Sequence, residues 1–455
     1  MEKLNVLDRS FLRLESPRHP FHVAGLMLFK LPENAPKNAV RKLVKWAARL
    51  NTLWPILNKK LSHPEDLGKT GWVNEDNFRP ERHVLHYALP QPGRMEDLLG
   101  LVSRAHERQL DLHRPLWEVH IIEGLPNNRF AIYCKVHHAL LDGAAGMKML
   151  NSLFSDSPAV HDSPPADLPT VKPELPRSML RGLEEAGRGI LEQYRAIPEL
   201  SSLFTQLGLD ALRGKQHGMK LPFTAPRSIL NSETDSARRI ILCDLPFPAV
   251  RKMGRKTGGS MNDVLLAVCG GALRRYLLEQ DALPKKSLVA GLPVSIRRKE
   301  KADANQLSFI LCPFFTDEAD DLQRLQQVIK TTTEAKAKLA TMSATAGQDF
   351  TNLIMMPTVV LTLAGATNVP PAINAIFSNV PGSADKLYLE GAELESIYPF
   401  SVVTDGMGIN LTVVSYDRKL CFAITSCPTQ QPRIEHFDKH LKASYKALRA
   451  AIQAS

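Results

Sequence analysis

Apolar and polar positions alternate across residues 130–136. Phe130, Ile132, Cys134 and Val136 fall on one side, and Ala131, Tyr133 and Lys135 on the other. A period of two predicts a strand. An apolar run over 116–122 precedes it and ends at Gly124, and Leu125-Pro126-Asn127-Asn128 supplies a turn. The two runs therefore predict an antiparallel pair. Helical spacing marks residues 37–53 and roughly 95–109, and the run 144–150 also reads as a helix. In the second half, Ser260 suits a helix N-cap and Asp263 its first turn, ahead of an apolar stripe of Val264, Leu265, Val268, Ala272, Leu273 and Tyr276. Residues 288–294 read as a buried strand ending at Arg297 and Arg298. Residues 411–416 and 420–425 alternate around Asp417-Arg418-Lys419 as a hairpin, and 432–451 reads as a closing amphipathic helix.

Between the halves the pattern disappears. Residues 155–177 carry Pro158, Pro164, Pro165, Pro169, Pro173 and Pro176, a composition that suits a linker or long crossing segment, and 178–212 is helical in pattern. The division expected is therefore 1–155, a linker with helices over 156–226, and 227–455.

Where the strand pattern of 130–136 gives way to helix, the chain reads His137-His138-Ala139-Leu140-Leu141-Asp142-Gly143. An imidazole titrates near neutral pH and can take a proton from a hydroxyl without a large shift. If the strand runs on, His138 shares the apolar face and His137 lies opposite, so only one of them can be the base. Asp142 sits where an N-cap or turn residue belongs. It can orient a histidine or pair with a distant arginine. On the residues alone, two strand-end histidines and a capping aspartate remain the plainer alternative.

The chain has 455 residues, 44% hydrophobic and 23% charged, with a formal net charge of +10. These values suit a globular protein with room for two domains. The charge can attract coenzyme phosphates or an anionic lipid surface. The basic residues are scattered and form no nucleic-acid arm, so no nucleic-acid partner is expected. No zinc-ligand spacing or other ligand cluster occurs, so no metal is expected either. None of the six cysteines forms a Cys-x-x-Cys pair, and most lie in apolar runs, as core thiols do in a reducing compartment. Residues 1–16 lack the apolar stretch of a secretory signal, and the longest apolar segment, 353–366, falls short of the about 20 residues a bilayer requires. A cytoplasmic protein is expected, with peripheral attachment to the inner membrane or to lipid inclusions left open. A Gly-x-Ser-x-Gly elbow, which would mark a serine hydrolase, is absent.

Further motifs accompany the histidine string. They are Leu7-Asp8-Arg9-Ser10-Phe11 with His19-Pro20, Pro115-Leu116-Trp117 with Gly124, Asn262-Asp263, and Asn379-Val380-Pro381-Gly382. Together they resemble bacterial wax ester synthase/diacylglycerol acyltransferases. The histidine string alone is shared by the wider superfamily of chloramphenicol-acetyltransferase-like folds, which includes condensation domains. Two departures stand beside motifs: Ala304 before Asn305-Gln306, where glycine is common, and Ser383 where proline often follows Asn-Val-Pro-Gly. The resemblance implies an α/β (α+β) chain of two chloramphenicol-acetyltransferase-like domains, each a mixed sheet with flanking helices, with a long linker and a substrate channel between them. It implies acyl-CoA as a substrate, with no further cofactor, and a fatty alcohol or diacylglycerol as acceptor. His138 would be the general base and His137 would help place it. Asp142 would shape the loop with an arginine, Arg297 being the candidate. Asn379 and a backbone N–H near Gly143 would be oxyanion donors, although Asn-x-Pro-Gly equally suits a plain turn. The alternatives are an amide-forming or small-alcohol acyltransferase of the same superfamily, and a non-catalytic protein coating lipid droplets.

Overall fold

The computed structural model describes residues 1–4, 6–141, 143–158, 205, 209, 218–296, 306–341 and 370–455. Asp142, Arg297, Arg298, Ala304, Asn305, the apolar segment 353–366 and most of the Pro-rich and helical stretch between the halves lie outside the described residues.

The first half contributes strands β1 (Glu2–Lys3), β2 (His22–Lys30), β3 (Lys59–Leu61), β4 (Gly71–Asn74), β5 (Val84–Ala88), β6 (Trp117–Leu125) and β7 (Arg129–His137). Its helices are α1 (Val6–Leu14), α2 (Ala39–Ala47), α3 (Leu50–Leu53), α4 (Met95–Glu107) and α5 (Gly143–Ser152). The second half contributes β8 (Arg239–Pro246), β9 (Val289–Ile296), β10 (Gln306–Pro313), β11 (Ala375–Val380), β12 (Tyr388–Leu389), β13 (Ala392–Phe400), β14 (Ile409–Tyr416) and β15 (Lys419–Ser426). Its helices are α6 (Phe247–Lys256), α7 (Met261–Glu279), α8 (Asp321–Thr341) and α9 (Phe437–Ala454).

Two six-stranded mixed sheets result, with orders β12-β13-β2-β7-β6-β5 and β10-β9-β11-β14-β15-β8. The β6–β7 hairpin forms as its alternation predicts, in antiparallel register from Trp117↔Val136 to Leu125↔Arg129. Its turn places Asn127 and Asn128 at φ of 61° and 56°, a left-handed conformation that asparagine tolerates better than most residues. The β14–β15 hairpin also forms as expected. The helix expected over 37–53 is broken after Ala47. Its last turn is tied elsewhere, because Asn51 exchanges side-chain and backbone hydrogen bonds with Asn58. The closing helix starts at Phe437, later than expected, after a short 3-10 turn.

α7 is buried nearly all round rather than along a stripe. Ser260 and Asp263 cap it reciprocally, and Thr332 of α8 donates to the second Asp263 oxygen at 2.7 Å. Gly270 and Gly271 let it approach its neighbours, since a Cβ on either would fall 2.1 Å from the Phe314 carbonyl oxygen or 2.3 Å from Ser444 Oγ. No side chain fits at those separations.

The two halves share structure. β13, from the second half of the sequence, runs antiparallel to β2 inside the first sheet. Alternate residues of β14 and β15 serve different cores. Leu411, Val413, Phe422 and Ile424 pack into the core of the second half. Val414, Tyr416, Cys421 and Ala423 pack into the core of the first. Tyr416 Oη donates to the Leu394 carbonyl at 2.7 Å across this seam, and Tyr398 Oη to Asp244 at 3.0 Å.

Candidate active site

β7 carries the chain to His137 and ends there. β2 flanks it with His22 opposite His137, and the His137 N–H donates to the Leu116 carbonyl at 2.9 Å. The strand then turns sharply. Leu140 and Leu141 N–H groups return to the His137 carbonyl at 2.9 and 3.2 Å, and α5 begins at Gly143. His138 stands on this turn. Its N–H donates to the Phe21 carbonyl at 2.9 Å, and its ring lies against Phe11 with centroids 4.4 Å apart.

The two histidines differ in setting. The His137 side chain is fully buried. Its Nδ1 accepts the Ala139 N–H at 3.0 Å, so the neutral ring carries its proton on Nε2. That nitrogen faces Glu15 Oε2 at 3.4 Å, and Glu15 Oε1 accepts the Phe21 N–H at 3.1 Å. His138 is partly exposed.

Trp117 of the Pro-Leu-Trp motif is core. It donates Nε1–H to the Leu57 carbonyl at 2.8 Å and stacks on His83. Asn379 lies on β11, paired with Val413 of β14. Its Nδ2 donates to Asn262 Oδ1 at the start of α7, so two of the sequence motifs meet there. One of its two N–H bonds is thereby used. No donor among the described residues reaches its buried Oδ1.

Beneath the turn, a row of titratable groups fills the face of the first sheet under α4. His106 Nδ1 sits 3.2 Å from His22 Nε2 and 2.8 Å from Tyr133 Oη. Lys135 donates to the Ala105 and Arg108 carbonyls at 3.0 and 2.9 Å and lies 3.2 Å from Glu118, which also meets His120 at 3.0 Å. Burial, with Arg238 and Lys135 nearby, lowers the His106 pKa to about 3. Burial and His106 likewise push His22 well below its ordinary value. Burial lowers Lys135 too, against the opposing pull of Glu118. Burial would raise Glu118, but His120 and Lys135 outweigh it and hold the carboxyl low.

A polar seam joins the segment before β2 to the second half. Arg18 donates to the Thr234 carbonyl at 2.7 Å. His19 Nε2 lies 3.0 Å from both Thr234 Oγ1 and Asp405 Oδ1. Partial burial would raise the Asp405 pKa, yet hydrogen bonds from His19 and the Thr234 N–H bring it to about 2. Glu15, His22, His106 and Asp405 were not singled out from the sequence. Each acts through contacts distant along the chain, and no local pattern marks them.

The histidine turn stands on the first of two mixed sheets, which takes strands from both halves, and this fold is shared with condensation domains. The starter condensation domain of rhizomide synthetase shares this fold at TM-score 0.57 and 14% identity, over 99% of this chain and 95% of its own. The family model for the wax ester synthase/diacylglycerol acyltransferase catalytic domain matches residues 4–265, and the model for the C-terminal domain of that family matches 304–449. The chain belongs to the wax ester synthase/diacylglycerol acyltransferase family. It is 36% identical to a probable diacylglycerol O-acyltransferase of Mycobacterium tuberculosis over 98% of both chains. It is 33% identical to O-acyltransferase WSD of Acinetobacter baylyi over 99% of this chain and 98% of the relative. A wax ester synthase/diacylglycerol acyltransferase from Marinobacter aquaeolei VT8 superposes at TM-score 0.80 with 32% identity over the whole of both chains.

Proposed function

We propose that this acyltransferase moves a fatty acyl group from coenzyme A to the hydroxyl of a long-chain alcohol or a diacylglycerol, with His138 as the general base. The observation that supports this most is the division of labour in the histidine pair. His137 is buried, with both ring nitrogens turned to protein groups. His138 is partly exposed on the turn beside it. The names of the relatives supply the acceptor classes.

In this reading His138 removes the acceptor hydroxyl proton as the oxygen attacks the thioester carbonyl. A C–O bond forms, the C–S bond breaks, and the coenzyme A thiolate takes up the proton from the imidazolium. Acyl-CoA is consumed as a substrate, and the steps need no metal ion. The remaining Asn379 N–H and a backbone N–H near Gly143 are the oxyanion donors of the proposal. Asp142 closes the loop with an arginine, Arg297 being the candidate. The units 1–155 and 227–455 form the two sides of the channel, linked by 156–226. The reaction takes place at a lipid surface, the inner membrane or an inclusion, to which a net charge of +10 is suited. Among the described residues no helix is long and apolar enough to cross a membrane.

The test uses purified protein and His138→Ala with a long-chain acyl-CoA and either hexadecanol or a diacylglycerol. The wild type forms ester, and the variant loses roughly 100- to 10,000-fold in kcat. An inactive wild type, or a variant matching it, would reject the reading. Activity only with an amine acceptor would move the chain to the amide-forming branch.

A further inference from the structure

Glu15 is a carboxylate whose side chain is only 1% exposed. Charged side chains are rarely buried so completely unless protein groups replace the lost water. The Phe21 N–H donates to Oε1 at 3.1 Å, and His137 Nε2 stands 3.4 Å from Oε2, at ion-pair distance without a formed hydrogen bond. Because the Ala139 N–H occupies His137 Nδ1, the ring proton points toward Glu15.

Glu15 reaches His138 by two routes. One passes through His137, whose ring accepts the Ala139 N–H and whose carbonyl closes the turn. The other passes through Phe21, whose N–H is held by Glu15 while its carbonyl holds the His138 N–H. The ring that packs on His138 belongs to the same segment, since the Glu15 N–H donates to the carbonyl of Phe11 at 3.0 Å. We propose that Glu15 is a positioning residue for acyl transfer, fixing the His137 tautomer and the turn so that the His138 imidazole is held where it meets the acceptor hydroxyl. This rests on the reading of His138 as base. The buried carboxylate also favours the imidazolium that forms when His138 takes the proton. Among the described residues, the titratable groups nearest the pair include His22, opposite His137 in the register, and Lys135 on the same strand.

The experiment compares wild type, Glu15→Gln, Glu15→Asp and His138→Ala with palmitoyl-CoA and hexadecanol, measuring kcat, both KM values, the pH profile and thermal unfolding. Gln keeps the size of the side chain and removes the charge. Asp keeps the charge and withdraws it by one methylene. Both should fold and lower kcat about 10- to 100-fold, the cost of a base misplaced by about an ångström. Both KM values should stay within about twofold of wild type. In Glu15→Gln alone, the acid limb of kcat/KM should move to lower pH, because the imidazolium has lost its anion. Wild-type kcat in both variants, with His138→Ala inactive, would overturn the positioning role and leave the base reading intact. Unfolded variants, or a rise in KM in step with the loss of kcat, would also overturn it, making Glu15 a purely structural residue. An active His138→Ala would instead remove the base reading first.

Discussion

The first sheet packs one apolar face, with Met27, Val119, Ile121 and Ile132, against α2, α3 and α5, but its face beneath α4 is chemically opposite to the helix-covered face of the second sheet. In the second half that face is Ile241, Cys243, Leu245, Leu411, Val413, Phe422 and Ile424, all apolar and all buried. In the first half the face beneath α4 carries His22, Glu118, His120, Tyr133, Lys135 and His137, under Ala105 and His106. The register pairs Lys135 with Glu118 across strands, while Tyr133 meets His106 of α4 and His120 meets Glu118 along its own strand. An apolar face is tolerant of sequence and needs only volume. A face of charges must be paired atom by atom, and that exactness lies directly beneath the turn bearing His138. The first sheet therefore has the stiffer requirement, and the second half of the chain supplies it with β12 and β13.

The largest break in this contrast should come from Lys135→Met. The substitution removes the ammonium and leaves Glu118 and two backbone carbonyls without it in a buried site. A loss of about 3–5 kcal/mol is expected, as for other broken buried pairs. Leu411→Met, at an equally buried position in the second sheet, keeps its volume and should cost less than about 1.5 kcal/mol. Urea unfolding of the two variants decides the matter. Similar midpoints would mean that the charged face is no more demanding than the apolar one.

The next effect is a pH dependence carried by His106 and His22, beneath α4. His106 titrates at about 3 in the fold, far below the about 6.5 of an unfolded histidine. Between those values the unfolded chain binds a proton that the folded chain refuses, so stability is full above about pH 6.5 and declines as pH falls toward 3. The slope is about 1.4 kcal/mol per pH unit for one such histidine. His22, shifted in the same direction, adds to it. His106→Gln should flatten the stability profile between pH 6.5 and 5 by about 2 kcal/mol. An unchanged slope would show that the His106 proton equilibrium does not distinguish folded from unfolded protein.

How much of this was legible in the sequence differs between the same two regions. β7 and the β14–β15 hairpin follow from alternation and their turns. β2 does not, because His22–Lys30 is buried on both sides over most of its length; in β13 only Glu393 and Glu395 alternate with buried Ala392 and Leu394, and the rest, Ser396–Phe400, is buried throughout. The passage of β13 into the first sheet is a matter of topology, which a reading by contiguous segments does not reach. The histidine string was recognisable as chemistry, but opposite sides for the two rings depended on the strand running on, and it ends at His137. In the proposed mechanism Glu15 separates their roles, and it lies on a segment far upstream that meets His137 only in the folded chain. Asn262 and Asn379 were each visible as motifs, but their mutual hydrogen bond was not.

The smallest effect belongs to the seam that binds the two regions. Asp405 accepts the Thr234 N–H at 2.6 Å, the Thr234 hydroxyl at 3.1 Å and His19 Nε2 at 3.0 Å, all on the same oxygen. Asp405→Asn can present its carbonyl oxygen to all three donors, so it removes the charge and spares the hydrogen bonds. The carboxylate is partly exposed and its ion pair with Arg18 is long, 3.7 Å, so the charge should be worth about 1 kcal/mol or less. The sign is fixed by its titration. Asp405 ionises at about 2 in the fold, below the about 3.9 of an unfolded aspartate. Its contribution is therefore complete above about pH 4 and fades as pH falls toward 2. Urea midpoints of wild type and Asp405→Asn should differ slightly at pH 6 and converge as the pH is lowered toward 3, whereas Asp405→Ala, which loses the acceptor itself, should fall further below both. If Asn costs as much as Ala, the seam depends on charge rather than on hydrogen bonding. It would then resemble the paired face beneath α4 more than the apolar framework it attaches to.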